Sequence, residues 1–435
     1  WRTYRAGIWA RDDMQQTLLD VPQLICDIYD ELASSVRDDV IQRPPTKKKD
    51  SRTELLEAIA ARIARLRTTG YLSGVMTFAE SMLCSKATMF DQNPGLLCVE
   101  NGTINFESGQ FREHQHKDML THKTLCRLEP GSECPRWMSF LDFFMGGDQE
   151  MIDYLARAVG YSLTGYVDYD VMFFLYGKGA NGKSTFTSTL QMLLGDHMTT
   201  IAIEALMAKA SDPTFDYRKA QMEGKRVVVS DEIPESRRLN ESAIKSLVGG
   251  DAITARRPYE KPYTFTPTHK LWLVGNHKPR IDGTDYGIWR RVHLIPWLVT
   301  MPEEDRRPRF EVLSEFREEL PGILNWAIEG WIDLQERGGL HPPAQVVAAT
   351  KEYQSDSDQF AQFLEARTEA SRVDSASLTD LREAYQAWCE DEGEQPKYQS
   401  NRKISAYMRD QGWHLQLMGN KNQSHVLGIK INPYS

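Results

Sequence analysis

The sequence predicts an α/β fold built on a parallel sheet that carries a phosphate-binding loop, and three stretches support this prediction. The first is the apolar run 171–176, followed by a glycine-rich loop and then by apolar residues at helical spacing. The others are the apolar runs 227–229 and 271–274, which both end in polar residues. Buried parallel strands have this continuous apolar character. Strand, glycine loop and helix in this order form the context that a nucleoside triphosphate site requires.

The loop at residues 177–184 fits the pattern Gly-x-x-x-x-Gly-Lys-Ser/Thr. Glycines let backbone N–H groups close around phosphate oxygens, and the N-terminus of the next helix adds a partial positive charge. The residues predicted to bind ATP are Gly177, Lys178, Gly179, Ala180, Asn181, Gly182, Lys183, Ser184 and Thr185. We expect Lys183 to reach the β- and γ-phosphates and Ser184 to hold Mg²⁺. A simple turn with a surface lysine explains the loop, but not the strand and helix beside it.

Polar residues at the ends of the next two strands complete the predicted catalytic set. Asp231 and Glu232 follow the valine run, where Asp231 is expected to hold Mg²⁺ and Glu232 to polarise the attacking water. Asn276 follows the third strand and is expected to sense the γ-phosphate. The sequence Asn-His-Lys-Pro at 276–279 lacks the aspartate of a guanine-reading motif, so adenine is favoured. The alternative is that the acidic pair is only an exposed strand end.

Residues 249–265 form a predicted strand–turn–strand in which basic and aromatic residues are interleaved. The basic residues are Arg256, Arg257 and Lys261, and the aromatic residues are Tyr259, Tyr263 and Phe265. Such a pattern suits single-stranded nucleic acid, with cations on phosphates and rings under bases, although a charged surface hairpin explains it equally well. Further on, Arg290 and Arg291 enter an apolar strand. Either is a candidate to reach the γ-phosphate of a neighbouring subunit, and the alternative for each is a structural ion pair.

The composition sets limits on function and location. The chain has 435 residues and a formal net charge of −9, so any nucleic-acid site must be a local basic patch. The six cysteines form no CxxC pair, which favours a reduced, cytoplasmic protein without a zinc ribbon. A metal site is disfavoured in the loose cluster His114, His116, His122, Cys126 and Cys134. We find no run of 18 apolar residues and expect no membrane partner. Because the chain begins with Trp1, we expect it to be part of a longer protein.

The regions on either side of the predicted core differ in character. Residues 1–70 are polar with helical periodicity, residues 96–106 predict a hairpin around an Asn-Gly turn, and residues 140–163 again predict helix. Residues 310–337 predict another helix. At the end of the chain, the segments 360–370, 378–388 and 399–411 predict three helices, and residues 413–431 predict a hairpin. Three helices and a hairpin indicate a winged helix that binds duplex DNA or a protein. Its candidate DNA contacts are Arg402, Lys403, Arg409 and Lys421.

Taken in order, these motifs resemble those of superfamily III helicases, in particular the poxvirus-type and phage or plasmid primase-helicases. The motifs are Gly-Lys-Gly-Ala-Asn-Gly-Lys-Ser, Ser-Asp-Glu, Lys-Ser-Leu-Val-Gly-Gly-Asp-Ala-Ile-Thr-Ala-Arg, Phe-Thr-Pro-Thr-His-Lys-Leu-Trp-Leu-Val-Gly-Asn-His-Lys-Pro and Ile-Trp-Arg-Arg. Trp9, the hairpin 99–109 and Cys-Pro-Arg-Trp at 134–137 resemble the domain that precedes the motor in that family. Asp231 stands where relatives often carry a small polar residue. The resemblance leaves open which of Arg290 and Arg291 is the finger, and whether Arg256 serves the pore or a subunit interface.

The resemblance implies an AAA+ core in a homo-oligomeric ring, usually a hexamer, that moves 3′→5′ on single-stranded DNA using ATP and Mg²⁺. The expected organisation is a helical accessory domain with a hairpin at 1–140, the core at 141–300, a helical extension at 301–355 and a winged helix at 356–435. A primase domain or protein is an expected partner, and the location is a bacterial host's cytoplasm if a phage or plasmid encodes the chain. The competing hypothesis is an ATP-gated, origin-binding initiator that unwinds little. A small-molecule kinase is disfavoured, because the basic-aromatic hairpin has no role in it.

Overall fold

The computed structural model describes residues 2–12, 16–41, 51–66, 68–83, 89–207, 213–230, 238–281, 286–418 and 423–432. The chain divides into two compact units, residues 1–128 and 129–435. The predicted acidic pair, Asp231 and Glu232, and Lys421 lie outside the described residues. No helix in the described ranges is long and apolar enough to cross a membrane.

The first unit begins with a hairpin rather than a helix. Strands β1 (Arg2–Arg5) and β2 (Ile8–Arg11) pair across Ala6 and Gly7, whose φ angles are 43° and 89°. Two successive residues with positive φ form the tight turn whose twist matches paired strands. Tyr4 and Trp9 face each other across the pair, with ring centroids 5.6 Å apart. The expectation of helix was therefore wrong for residues 2–11, because cross-strand pairing outweighs local periodicity.

The second sheet of this unit has three antiparallel strands, β3 (Leu96–Val99), β4 (Gly102–Asn105) and β5 (Gln110–Arg112). The predicted hairpin is confirmed, since Val99 pairs with Gly102. Strand β5 was not predicted. The described residues of this unit also form the α-helices α1 (Gln16–Ile41), α2 (Ser51–Leu66) and α3 (Thr69–Leu83).

The second unit is organised around a five-stranded parallel sheet. Its strands are β6 (Met172–Tyr176), β7 (Met198–Thr200), β8 (Val227–Ser230), β11 (Lys270–Gly275) and β12 (Val292–Pro296). Their order is β12-β6-β11-β8-β7, and every neighbouring pair is parallel. In sequence, the strands are separated by the helices α6 (Lys183–Leu194), α7 (Glu204–Met207), α8 (Pro213–Ala220), α9 (Glu241–Val248) and α10 (Tyr286–Trp289). An antiparallel hairpin of β9 (Ile253–Ala255) and β10 (Tyr263–Phe265) lies between α9 and β11 in sequence. The predicted parallel sheet and its three apolar strands are confirmed.

Five further helices precede or follow the sheet in sequence. They are α4 (Pro135–Met145), α5 (Gln149–Leu163), α11 (Arg309–Glu318), α12 (Leu320–Arg337) and α13 (Ala344–Ser357). Three of them, α4, α11 and α12, contribute to one buried aromatic cluster. The ring of Trp137 lies 5.4 to 5.6 Å, between centroids, from the rings of Phe140, Phe186, Phe316 and Trp326. Because Phe186 belongs to α6, this cluster fixes the helix that follows the glycine loop.

Two of the predicted helices are interrupted. The segment 140–163 breaks at Gly146 and Gly147, whose φ angles of 65° and 77° favour glycine and end α4. The segment 310–337 breaks before α12, because Pro321 lies in the first turn of that helix and has no N–H to continue the preceding one.

The C-terminal part has the order helix, strand, helix, helix, strand, strand. Its elements are α14 (Gln359–Arg367), β13 (Thr368–Ser377), α15 (Leu378–Asp391), α16 (Asn401–Asp410), β14 (Leu415–Met418) and β15 (Gln423–Ile431). The three strands form one antiparallel sheet in the order β13-β15-β14. The expected helix 360–370 was wrong in its last residues, because Thr368 already pairs with Ile431 in the sheet.

Candidate functional site

The glycine loop lies at the carboxyl end of β6, between Tyr176 and the start of α6. Gly182 has a φ of 79° and Ala180 a φ of 59°, so the chain turns sharply before the helix. Gly177 has no room for a side chain. A Cβ there would lie 2.0 Å from the carbonyl oxygen of Trp297 and 2.3 Å from Nδ2 of Asn181. The glycine at this position is therefore required by packing.

The amine of Lys183 lies inside this loop, and the side chain is 4% exposed. It donates to the carbonyl of Gly177 at 2.6 Å, to Oδ1 of Asn181 at 2.8 Å and to Oδ1 of Asn276 at 3.1 Å. These acceptors are neutral, and no carboxylate of the described residues pairs with the amine. Burial lowers the pKa of Lys183 to about 8. A buried cation surrounded by neutral oxygens suits an anionic ligand.

Asn276 reaches the loop because β11 lies next to β6. Gly275, the last residue of β11, is in register with Tyr176, the last residue of β6. Strand β8 lies on the other side of β11 and ends at Ser230, which pairs with Leu273. The carboxyl ends of all three strands thus lie at the same edge of the sheet. This edge combines the glycine loop with the sensor candidate, and the acidic pair follows Ser230 directly in sequence.

Asn181 is a structural member of the loop that the motif pattern leaves unspecified. Its Nδ2 donates to the carbonyl of Trp297 at 2.7 Å, while its Oδ1 accepts from Lys183. One amide therefore joins the residue after β12 to Lys183. Its 3% exposure and two partners indicate that it braces the loop.

Arg309 is a loop neighbour that the sequence analysis missed. Its guanidinium donates to the carbonyl of Ser184 at 2.8 Å and to the hydroxyl of Ser188. A groove of about 540 Å³ continues from this contact between α6 and α11, with Phe310 and Arg317 among its lining residues. The only signal in the sequence was the arginine-rich stretch 306–309, which has no motif spacing.

The two finger candidates lie at the opposite edge of the sheet. Strands β12 and β6 are parallel, with Val292 beside Met172, so Arg290 and Arg291 precede the amino end of β12. Five strand residues separate this edge from the glycine loop, which is about 16 Å. Arg291 is 13% exposed and donates to Asp170 at 2.6 Å, whereas Arg290 is 50% exposed and lies 3.5 Å from the same carboxylate. Neither arginine contacts the glycine loop of its own chain.

The basic-aromatic hairpin is formed, but its cations have different surroundings. Arg256 donates from Nε to the carbonyl of Glu260 at 3.0 Å. Arg257 forms an ion pair with Glu223, and its guanidinium stacks 4.9 Å from the ring centroid of Tyr263. Lys261 is exposed and makes no hydrogen bond or ion pair with the part of the chain that is described. Of the three basic residues, Lys261 is thus the most available to a ligand.

The aromatic residues of the hairpin also differ. The hydroxyl of Tyr263 donates to Glu223 at 2.8 Å, and burial with this hydrogen bond raises the pKa of Tyr263 to about 12. Phe265 packs against the core of the sheet. Tyr259 lies at the tip of the hairpin and is fully exposed.

The C-terminal part presents a basic helix face. Arg402, Lys403 and Arg409 on α16 are exposed, while Ile404 and Met408 on the same helix are buried. One residue of the acidic run 390–394 forms an ion pair within the protein, since Glu394 pairs with Arg280 at 2.5 Å. Its charge is therefore not all directed to solvent.

Within the described ranges, no group of three histidine, cysteine or acidic residues could hold a metal ion. His114 instead lies 3.3 Å from the hydroxyl of Thr103 and 3.7 Å from the sulfur of Cys98. Burial raises the pKa of Cys98 to about 12, so this thiol stays protonated at neutral pH.

Comparison with known families bears on both units. Residues 1–146 match the family described as "D5 N terminal like", and residues 175–291 match a "Family of unknown function (DUF5906)". The chain is 25% identical over 386 residues to a "putative helicase" of Acanthamoeba polyphaga mimivirus, covering 84% of this chain and 40% of that protein. It is 24% identical over 281 residues to a "putative primase" of African swine fever virus, covering 61% and 28%.

Residues 1–146 of the chain thus resemble the D5 N-terminal domain, and the viral relatives carry the names putative helicase and putative primase. A third relative is a "putative helicase" of Frog virus 3, 28% identical over 234 residues, covering 50% of this chain and 24% of that protein. The chain thus spans less than half the length of these viral relatives. A solved structure of the NrS-1 C-terminal region is 13% identical, with a TM-score of 0.46 over 82% of this chain and 90% of that chain.

Proposed function

We propose that this chain is the ATP-hydrolysing motor of a DNA helicase of the superfamily III type, with an AAA+ core. The observation that carries the proposal is the buried amine of Lys183, held by neutral oxygens at the carboxyl edge of a parallel sheet. Such an amine in a glycine loop before a helix is suited to a triphosphate. The helicase and primase names of the relatives support the same assignment.

In the proposed reaction, the loop amides and Lys183 bind the β- and γ-phosphates of ATP. Ser184 and Asp231 would hold Mg²⁺, which neutralises phosphate charge when bound. Glu232 would orient and polarise the attacking water, and Asn276 would position the γ-phosphate and that water. Asn276 accepts a hydrogen bond from Lys183. Release of the γ-phosphate that Lys183 binds would therefore also change the position of Asn276.

A ring is proposed because the finger candidates lie on the wrong edge of the sheet to serve their own site. An arginine about 16 Å from its own loop can complete only the site of a neighbouring subunit. Between the two, we propose that Arg290 is the finger and that Arg291 supports it, because Arg291 is largely buried against Asp170. The family resemblance suggests a hexamer that moves 3′→5′.

The hairpin β9–β10 is proposed to contact single-stranded DNA within the ring. Lys261 is the leading contact, since it has no competing partner among the described residues. Arg257 and Arg256 are secondary contacts, because their side chains already support the hairpin. A primase domain or protein is the proposed partner, in keeping with the primase name of one relative.

A second candidate function is an ATP-gated initiator that binds duplex DNA and unwinds little. The observation in its favour is the exposed basic face of α16, with Arg402, Lys403 and Arg409, in a helix–strand–helix–helix–strand–strand arrangement that suits a winged helix. Lys421 would belong to the wing. In the motor hypothesis, the same face is an accessory contact to the duplex ahead of the ring.

Turnover distinguishes the two candidates. A motor should hydrolyse ATP faster when single-stranded DNA is added and should displace a strand, whereas an initiator should turn over slowly regardless of DNA. Lys261→Ala should lose most of the stimulation, while Lys351→Ala, at an exposed lysine of α13, should keep it. Stimulation that is unchanged in Lys261→Ala would show that the hairpin assignment is wrong.

A further inference from the structure

The tip of the β9–β10 hairpin has an unusual backbone. The N–H of Glu260 donates to the carbonyl of Arg257 at 3.1 Å, which closes a four-residue turn with Pro258 and Tyr259 at its centre. Tyr259 has a φ of 63°. Proline fixes a negative φ at the first central position, so only the second is positive, as in a type II turn.

A tyrosine is an unfavourable residue at this place. The second central position of a type II turn favours glycine or asparagine, because a Cβ crowds the backbone when φ is positive. The preceding Pro258, in contrast, is a favoured residue at its own position. One half of the turn is therefore optimised and the other half is strained. Strain of this kind persists where a side chain is needed for another purpose.

The ring of Tyr259 has no role within the molecule as described. Its relative exposure is 104%, and it makes no ring contact or hydrogen bond with the described part of the chain. The other two aromatic residues of the hairpin are engaged, Tyr263 with Glu223 and Arg257, and Phe265 with the core. Tyr259 therefore contributes neither to packing nor to the turn, and both faces of its ring are accessible.

We propose that Tyr259 stacks on a base of the single strand that the hairpin binds. This inference rests on the proposed function, because it assumes that the hairpin meets nucleic acid. Every base has a π-face, so stacking tolerates any sequence, but only an unpaired and unstacked base offers that face. Lys261, two residues further, supplies the phosphate contact. Together they give the hairpin a preference for single strands that charge alone does not provide.

The test compares binding of the full chain to two fluorescein-labelled 20-nucleotide strands, oligothymidine and the same backbone without bases. Tyr259→Gly relieves the turn and removes the ring, while Tyr259→Phe keeps the ring. Tyr259→Gly should weaken binding to oligothymidine about 5- to 100-fold. It should leave binding to the abasic strand unchanged and should not lower the unfolding temperature. Tyr259→Phe should bind both strands within about twofold of the wild type, as its ring keeps the stacking face.

Two results would overturn the stacking proposal. One is unchanged binding of oligothymidine by Tyr259→Gly, and the other is an equal loss on both strands, which indicates a backbone role for the turn. Lys261→Ala, measured alongside, separates this failure from failure of the proposed function. If Lys261→Ala weakens binding to both strands while Tyr259→Gly changes neither, the hairpin binds DNA without stacking. If the wild-type protein binds neither strand, the proposed function is itself wrong.

Discussion

Replacement of Gly177 by alanine tests the geometry of the glycine loop most sharply. The added Cβ would lie 2.0 Å from the carbonyl oxygen of Trp297 and 2.3 Å from Nδ2 of Asn181. Those two atoms form a hydrogen bond of 2.7 Å with each other. The methyl group would therefore press on both partners, and the bond cannot survive without movement of the loop. Since Asn181 also accepts from Lys183, the Lys183 amine loses one of its hydrogen-bond partners.

The size of the effect follows from these contacts. Loss of a buried hydrogen bond that leaves its partners unsatisfied costs about 1–3 kcal/mol. At roughly 2 °C per kcal/mol for a large domain, the unfolding temperature should fall by about 2–6 °C. ATP affinity should fall further, by roughly 10- to 100-fold, which corresponds to about 1.4–2.7 kcal/mol of binding free energy. The loss arises because the loop amides no longer converge on the phosphates.

The matched control is Gly179→Ala in the same loop. An added Cβ at Gly179 meets nothing within 4 Å, and its φ is not in the left-handed region. Thermal unfolding should show a clear loss of stability for Gly177→Ala and near wild-type stability for Gly179→Ala, and titration with a fluorescent ATP analogue should show the loss of affinity in Gly177→Ala. Equal unfolding temperatures of the two variants would refute the packing argument.

Three further predictions concern the lysine, the arginines and a helix contact. Because the pKa of Lys183 is about 8, ATP affinity should be steady near pH 7 and should fall as the pH rises above about 8, as titrations at several pH values will show. Arg290→Ala should lower ATP hydrolysis of the assembled protein by about 10³-fold at unchanged stability. Arg291→Ala loses a largely buried ion pair, so its free energy of unfolding should be lower than that of the wild type by about 1–3 kcal/mol. Gly160→Ala should lower the free energy of unfolding by about 1–3 kcal/mol, because its Cβ would lie 2.4 Å from the carbonyl of Ala327.

Each of these has a contradicting result. ATP affinity that stays constant up to pH 10 would mean that burial does not lower the pKa of the Lys183 amine. The same lysine should make the free energy of unfolding of the ATP-free protein rise as the pH increases from about 8 to 10.5, since the unfolded chain binds the extra proton in that range. A rate of ATP hydrolysis in Arg290→Ala equal to that of the wild type would show that Arg290 is not the finger. An unfolding temperature of Gly160→Ala equal to that of the wild type would mean that α5 and α12 separate without cost.

The parts of the fold that the sequence predicted well are those in which local pattern and burial agree. The three apolar strands of the core are buried on both faces, so their composition alone identifies them. The loop at 177–184 is fixed by backbone geometry that few residue types allow, and this makes its motif specific. The meeting of Asn276 with Lys183 follows from parallel strands that end at one edge.

The parts that could not be predicted depend on contacts between distant segments. Strand β13 forms only because β15 pairs with it, and the first hairpin depends on a two-residue turn at Ala6 and Gly7. Arg309 reaches Ser184 across 125 positions of sequence, which no local pattern reveals. The proposal that Arg290 and not Arg291 is the finger rests on the burial of Arg291 against Asp170. The proposed domain boundaries at 140, 300 and 355 stay predictions.

In the proposed motor, contact with single-stranded DNA stimulates ATP hydrolysis at this loop. The most direct test is the rate of ATP hydrolysis with and without single-stranded DNA, for the intact chain and for Glu232→Gln. We predict strong stimulation of the wild type by DNA and its loss in Glu232→Gln, because the attacking water is then no longer polarised. A wild-type rate that DNA leaves unchanged would contradict the motor hypothesis and favour the ATP-gated initiator.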